Sequence, residues 1–196
     1  MNFFELIKRR RNVSHFSNRP VAEEKVNRII QAGLCAPVGA DKAPLKLIVV
    51  TRQEIKQKIR LEAERIEKAL KRGASGNNDS QSSKFSGGES SWKMPFLEEA
   101  PYLIIVCGRS GQPYQAASTW LALGNIMLKA TEEGLGSLCY SPTLTSFLHK
   151  LLNISPGFMP VAIVPLGYCA EELFPRTQPE EEKVFRNLLG GRFKWQ

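Results

Sequence analysis

Two uninterrupted apolar runs, Tyr102 to Cys107 and Val161 to Leu166, limit what this 196-residue chain can fold into more than any other feature. Each is β-rich, strand-length and flanked by Pro and Gly, which is the pattern of a buried strand and not of one lying on a wet surface. The chain must therefore bury a sheet and cover it. Leu45 to Thr51 is another strand-length apolar run, and Ser137 to Tyr140 a shorter one. With 42% apolar residues the chain can build one substantial core and is too short for two independent ones, so residues 1–196 are read as a single domain.

Between the strands, apolar residues recur at helical spacing. Asn2-Phe3-Phe4-Glu5-Leu6-Ile7 offers a capping residue, a Glu three positions on and an apolar stripe, predicting a short helix that ends near the arginines. Val26, Ile29, Ile30, Gly33 and Leu34 predict a helix from Ala22 to Cys35, stopped by Pro37, with Glu23 and Glu24 at its favourable negative end. Ile55, Ile59, Ile66 and Leu70 lie along one face of a charged helical stretch from Gln53 to Lys71. Gln115 to Glu133 reads as a long helix too apolar for one exposed face, so it belongs in the centre or at a subunit interface. Gly124 inside it costs about 1 kcal/mol relative to Ala, so a tight helix crossing there is one reading and a tolerated glycine the other. Thr143 to Leu152 and Glu180 to Leu189 are further helical stretches. Alternating strands and helices suggest by themselves a layered α/β domain with a parallel sheet.

Residues 73–93 change character: Gly, Ser, Asn and Gln dominate, too polar to bury much surface, which predicts a mobile excursion inside the domain. The net charge of +8 favours an anionic partner without choosing among nucleotide, nucleic acid and acidic membrane. The run Lys8-Arg9-Arg10-Arg11 lacks the interleaved aromatics of a stacking platform and reads as a solvated helix end, with no nucleic acid expected as partner. No stretch nears the roughly 20 apolar residues of a membrane span, so no membrane partner is expected. The four cysteines, Cys35, Cys107, Cys139 and Cys169, form no Cys-x-x-Cys pair and have no His at ligand spacing, which excludes a zinc finger and suits a reducing cytoplasm.

Protein-borne catalysis finds little support. There are only two histidines, His15 and His149, no Gly-x-Ser-x-Gly elbow and no phosphate-binding loop. Gly134-Leu135-Gly136 closes a helix instead of opening one, so it is a helix-end turn and not a dinucleotide fingerprint. Reactivity is expected from a cofactor, with no catalytic residue and no metal of the chain's own.

Four collinear fragments carry a resemblance. Arg10-Arg11-Asn12-Val13-Ser14-His15-Phe16 is followed by Pro20-Val21 and a helix; Cys35 to Leu45 reads Cys-Ala-Pro-Val-Gly-Ala-Asp-Lys-Ala-Pro-Leu; Ala100 to Val106 precedes an Ala-rich helix ending Ala130-Thr131-Glu132-Glu133-Gly134-Leu135-Gly136-Ser137; and Pro160 to Cys169 is followed by Glu171, Glu172, Pro175, Arg176 and Pro179. In this order the chain resembles the FMN-dependent nitroreductase family over nearly its whole length. The resemblance implies an α+β fold, three-layered α/β/α with a mixed, largely antiparallel central sheet, in an intertwined homodimer. It also implies an oxidoreductase: NADH or NADPH reduces bound FMN, and a nitroaromatic, quinone or similar small acceptor takes the electrons.

By position, Arg10, Arg11, Asn12 and Arg176 would address the FMN phosphate and ribityl end, where guanidinium groups suit a dianion; a solvated surface arginine is the competing reading for Arg11 and Arg176. Pro37, Val38, Gly39 and Asp41 would pack on the flavin from the other subunit. Tyr140, Ser141 and Pro142 resemble the backbone beside the reactive flavin nitrogen, an ordinary strand-to-helix turn being the alternative. The pattern departs from the family at several of these places. Ser14 stands where many relatives carry Arg or Lys near the ring, Val38 and Asp41 replace Ser and Asn, and Ala43 and Leu45 replace Gln and Trp. Lost hydrogen bonds and an added carboxylate keep a second reading open, a flavin-binding homologue with little turnover.

Overall fold

Both long apolar runs become the central strands of a four-stranded sheet. The computed structural model describes residues 2–37, 45–74, 92–111 and 114–171. Its strands are β1 (Leu45–Val50), β2 (Tyr102–Arg109), β3 (Gly136–Ser137) and β4 (Phe158–Gly167), in the order β1-β2-β4-β3. Every strand pairing is antiparallel, so the parallel sheet suggested by simple alternation does not form. An isolated parallel bridge joins Asn12 to Ser137 beside this antiparallel sheet. Both central strands alternate between two cores, which is why neither shows a polar face in the sequence.

The helices are α1 (Phe3–Arg9), α2 (Glu23–Leu34), α3 (Gln53–Ala74), α4 (Phe96–Glu99), α5 (Gln115–Glu132) and α6 (Ser146–Leu152). On one sheet face Ile104, Val106, Ala162, Val164 and Leu166 meet Val26 and Ile29 of α2 and Leu123, Ile126 and Ala130 of α5. On the other, Leu103, Ile105, Cys107 and Ile163 meet Ile59, Ala63 and Ile66 of α3, Leu97 of α4 and Phe147 and Leu148 of α6. The result is the α/β/α layering. Four-residue α4 had no periodicity to announce it, and Leu70 and Leu34, expected on buried faces, are instead exposed. The expected Asn2 cap forms: its side chain accepts from the Glu5 N–H at 2.9 Å.

α2 and α5 run antiparallel. Near the start of α2, Arg28 grips Glu133 with two hydrogen bonds of 2.8 Å and Lys25 donates to the Glu133 carbonyl; near its end the Asn125 side chain donates to the Ala32 carbonyl at 3.1 Å. The close crossing lies at Gly33 and not at Gly124. A Cβ on Gly33 would sit 2.7 Å from Ile126, whereas one on Gly124 would meet nothing within 4 Å among the described residues. α5 stops in a Schellman turn: Leu135 N–H donates to Ala130 and Gly134 N–H to Thr131, with Gly134 at φ +75°. That stop delivers the chain directly into β3.

Candidate functional site

Three segments remote in sequence meet at the β3 edge. Val13 N–H donates to the Ser137 carbonyl at 3.1 Å, Ser17 N–H to Tyr168 at 2.9 Å and Ala170 N–H to His15 at 3.0 Å. So close an approach needs Gly136, because a Cβ there would fall 2.7 Å from the Val13 side chain. The segment after α1 is thus laced onto the end of the sheet, and this fixes where its arginines stand.

On that frame the Arg10 guanidinium donates to Asn12 Oδ1 at 2.9 Å, with half-buried Arg11 between them. Burial pushes the Cys139 thiol up, and the Arg10 charge opposes this. The Arg10-Arg11-Asn12 segment therefore runs beside the strand that leads on to Cys139, through the Asn12–Ser137 bridge. Two guanidinium groups and an amide are donors suited to a phosphate-bearing ligand. Ser14 brings no charge to this edge; its hydroxyl lies 3.4 Å from His15 Nδ1, which is also 3.5 Å from a Glu171 carboxylate oxygen.

The stretch Tyr140 to Thr143 is pinned at three points. Tyr140 exchanges both backbone hydrogen bonds with Ile163, at 2.9 and 2.7 Å, and the Ser141 hydroxyl donates to the Val161 carbonyl at 2.9 Å. Glu67 on α3 accepts from the Thr143 hydroxyl at 3.0 Å and from its N–H at 3.4 Å. The Tyr140 ring turns into the core, edge-on to Phe96 with centroids 5.8 Å apart, and its buried hydroxyl finds no partner among the described residues. Burial, with Glu67 adding, raises the Tyr140 phenol. Since the Tyr140 N–H is used and Pro142 has none, Ser141 supplies the one backbone donor of the three, exposed and without a partner among the described residues.

Pro37 stands apart from this group. α2 has 12 residues, a rise of about 18 Å, and its start is the end that meets Glu133 and leads to β3. Within one chain, Pro37 is exposed at the opposite end of the α2–α5 pair from Asn12. Val38, Gly39, Asp41, Ala43 and Arg176, the helix expected at Glu180 to Leu189 and most of the 73–93 excursion lie outside the described residues. Leu45 begins β1, opposite Gly108. The sequence reading missed Cys139 and Glu67. Strand alternation places Cys139 two positions from Ser137 and was a usable signal, but nothing local ties Glu67 to a residue 76 positions away.

Residues 7–168 match the nitroreductase family model. The chain belongs to the nitroreductase family. Among its relatives is an iodotyrosine deiodinase of Thermotoga neapolitana, 31% identical over 167 residues, which are 84% of this chain and 87% of the relative. Another, from Haliscomenobacter hydrossis, is 32% identical over 179 residues, 86% of this chain and 80% of the relative. Among solved structures, an oxidized iodotyrosine deiodinase bound to FMN and 3-iodo-L-tyrosine superposes with a TM-score of 0.76 at 29% identity, covering 94% of this chain and 97% of that one. An FMN-dependent nitroreductase of Clostridium difficile superposes with a TM-score of 0.74 at 22% identity over 94% and 99%, a likeness of fold. The nitroreductase fold expected from the four fragments is the fold observed. Among the described residues no helix is long and apolar enough to cross a membrane, and no His, Cys, Asp and Glu cluster suited to a metal forms.

Proposed function

We propose that this chain is an FMN-dependent reductase working as a homodimer, taking electrons from NADH or NADPH and passing them to a small aromatic acceptor. The observation that carries the reading is the pairing of the Arg10-Arg11-Asn12 segment with Ser137, on the same stretch that runs on to Ser141, whose N–H has no partner among the described residues. FMN makes two demands of a protein, cations for its phosphate and a donor beside its ring, and these residues fit both. When bound, FMN supplies two-electron hydride chemistry. The chain's part is binding and orientation: Arg10 and Arg11 hold the phosphate, Asn12 steers Arg10, and Ser141 offers its N–H to the ring.

Two observations support the homodimer. Pro37 sits at the opposite end of α2 from Asn12 of its own chain, so a site built from both would take Pro37 from a second copy. Large apolar side chains also stand in water on α1 and α5, Phe3 at 68% exposure, Phe4 at 62% and Trp120 at 48%, a face a partner would cover. The relatives' names put halogenated tyrosine first among acceptors to try. Exchanging its C–I bond for C–H consumes two electrons and one proton and releases iodide, and needs no acid or base from the chain beyond solvent.

The second reading, a flavin holder with little turnover, is favoured by Ser14, whose hydroxyl faces His15 where a cation would favour the reduced, anionic ring. A visible spectrum of the purified protein, FMN released on denaturation, bleaching by NADH or NADPH and iodide release from 3-iodotyrosine separate the readings. A protein that takes up no added FMN sinks both. One that holds FMN which neither nicotinamide bleaches leaves only the second.

A further inference from the structure

We propose that Leu70 and Leu144 form the apolar wall against which the reductase site takes its acceptor, an aromatic ring; this rests on the reductase reading and adds to it the residues that select the acceptor. The apolar stripe of α3 outruns its core. Ile59, Ala63, Ile66 and Leu70 follow one another at helical spacing; the first three are buried, and Leu70 is 40% exposed. Ile59, Ala63 and Ile66 share a core with Leu103, Ile105 and Ile163 of the sheet, whereas Leu70 continues the same helix face past the point where that core ends. Leu144 is a second such residue: it is exposed just before α6, whose Phe147 and Leu148 are buried.

Two courses along the sheet bring these leucines together. α3 follows β1, whose last residue Val50 pairs with Leu103, itself opposite Pro165, so the helix starts at that end of the sheet and runs away from it. The stretch after β3 runs the same way along β4: Ser137 lies opposite Leu166, Tyr140 opposite Ile163, and the Ser141 hydroxyl is bonded to Val161. The courses touch where Glu67 accepts from the Thr143 hydroxyl and N–H, at 3.0 and 3.4 Å. Leu70 is one turn beyond Glu67, and Leu144 is the residue after Thr143, so both stand just past that contact. Ser141 is three residues before Leu144, a separation the chain can stretch to at most about 11 Å. The wall therefore borders the place where Ser141 presents its N–H. Two leucines fall far short of the roughly 800 Å² that each partner gives to a stable protein interface. The exposed Trp120 and Leu121 are on α5, in the layer across the sheet, so the face proposed for a second copy does not include this pair. A single aromatic ring matches the wall in size and chemistry.

The test uses the FMN-loaded full chain and compares Leu70→Ser and Leu144→Ser with Leu61→Ser, a third exposed leucine of α3 that lies off the stripe. All three sit on the surface, where substitutions seldom unfold a protein. The probe is nitrobenzene, which takes two electrons and two protons and leaves as nitrosobenzene and water. Its Kd is read from the perturbation of the oxidised flavin spectrum, a measurement that needs no turnover. Dithionite-reduced protein is then reoxidised without air by nitrobenzene or by ferricyanide, a hydrophilic oxidant with no ring to pack. Leu70→Ser and Leu144→Ser should each weaken nitrobenzene binding about fivefold and lower the nitrobenzene-to-ferricyanide rate ratio by as much, with Leu61→Ser within about twofold of wild type. The wall is overturned if both variants bind nitrobenzene as wild type does, or if Leu61→Ser weakens it equally. A shift of both variants from dimer to monomer also overturns it, because a second copy would then be what covers the patch. A wild type that takes up no FMN refutes the reductase reading and the wall with it, and that one spectrum tells the two failures apart.

Discussion

At the scale of single residues, the most informative atoms are those with nothing to do. The Tyr140 hydroxyl is buried and has no partner among the described residues, and leaving such a group dry costs about 1–3 kcal/mol. Tyr140→Phe should therefore stabilise the protein by about 1 kcal/mol in urea unfolding while leaving the bound flavin spectrum unchanged; a destabilised variant would mean that the hydroxyl has a partner in solution. Glu133 is the opposite case. Its carboxyl is held from the ordinary 4.5 down to about 2, first by the Arg28 hydrogen bonds and further by Lys129, against the opposing effect of burial. A depressed value means stability that is present above about pH 4.5 and lost as the pH falls through about 2. Glu133→Gln should accordingly melt roughly 2–4 °C lower than wild type at pH 7, with the gap narrowing on acidification and closing near pH 2. Cys107, by contrast, is raised to about 11 by burial and should stay unlabelled by thiol reagents at pH 8, where exposed Cys35 reacts.

At the scale of elements, helix pairing is decided by one glycine. Gly33→Ala gains helix propensity of about 1 kcal/mol but drives a Cβ to 2.7 Å from Ile126, and overpacking of that kind costs about 1–3 kcal/mol. A net loss of stability is expected in denaturant titration; a gain would mean that α2 and α5 slide apart freely. The elements were also where the sequence was most readable. Continuous runs such as Tyr102 to Cys107 and periodic stretches such as Gln53 to Lys71 became a strand and a helix with ends shifted by a few residues. Strand direction was not readable from alternation, because an apolar run buried on both faces reads the same in either sense. Nor was the Gly33 crossing, since glycine in a helix looks alike at 33 and at 124 until the neighbour is seen. At the candidate site, the Arg10–Asn12 contact is local, two positions apart, and so within reach of the sequence, whereas the pairing of Asn12 with Ser137 is not, because only the folded β3 edge brings those segments together.

At the scale of the whole molecule, the proposed dimer would have a second copy complete what one chain leaves separated. Trp120→Glu places a charge on the exposed α5 face and should shift the protein from dimer to monomer in size-exclusion chromatography, with FMN retention lost over the same concentration range. A monomer that still holds FMN would show that Pro37 is not shared. The lacing at β3 has a consequence in time as well. Lys25 and Glu133 are 108 positions apart, and the Arg10 segment cannot find Ser137 before that part of the chain exists. Contacts of such long reach form late, since loop closure must precede any reward for pairing. During synthesis the arginines emerge first and wait, so a ribosome-bound chain is expected to gain helix well before it can quench flavin fluorescence. Cofactor capture is then a closing event of folding rather than its seed.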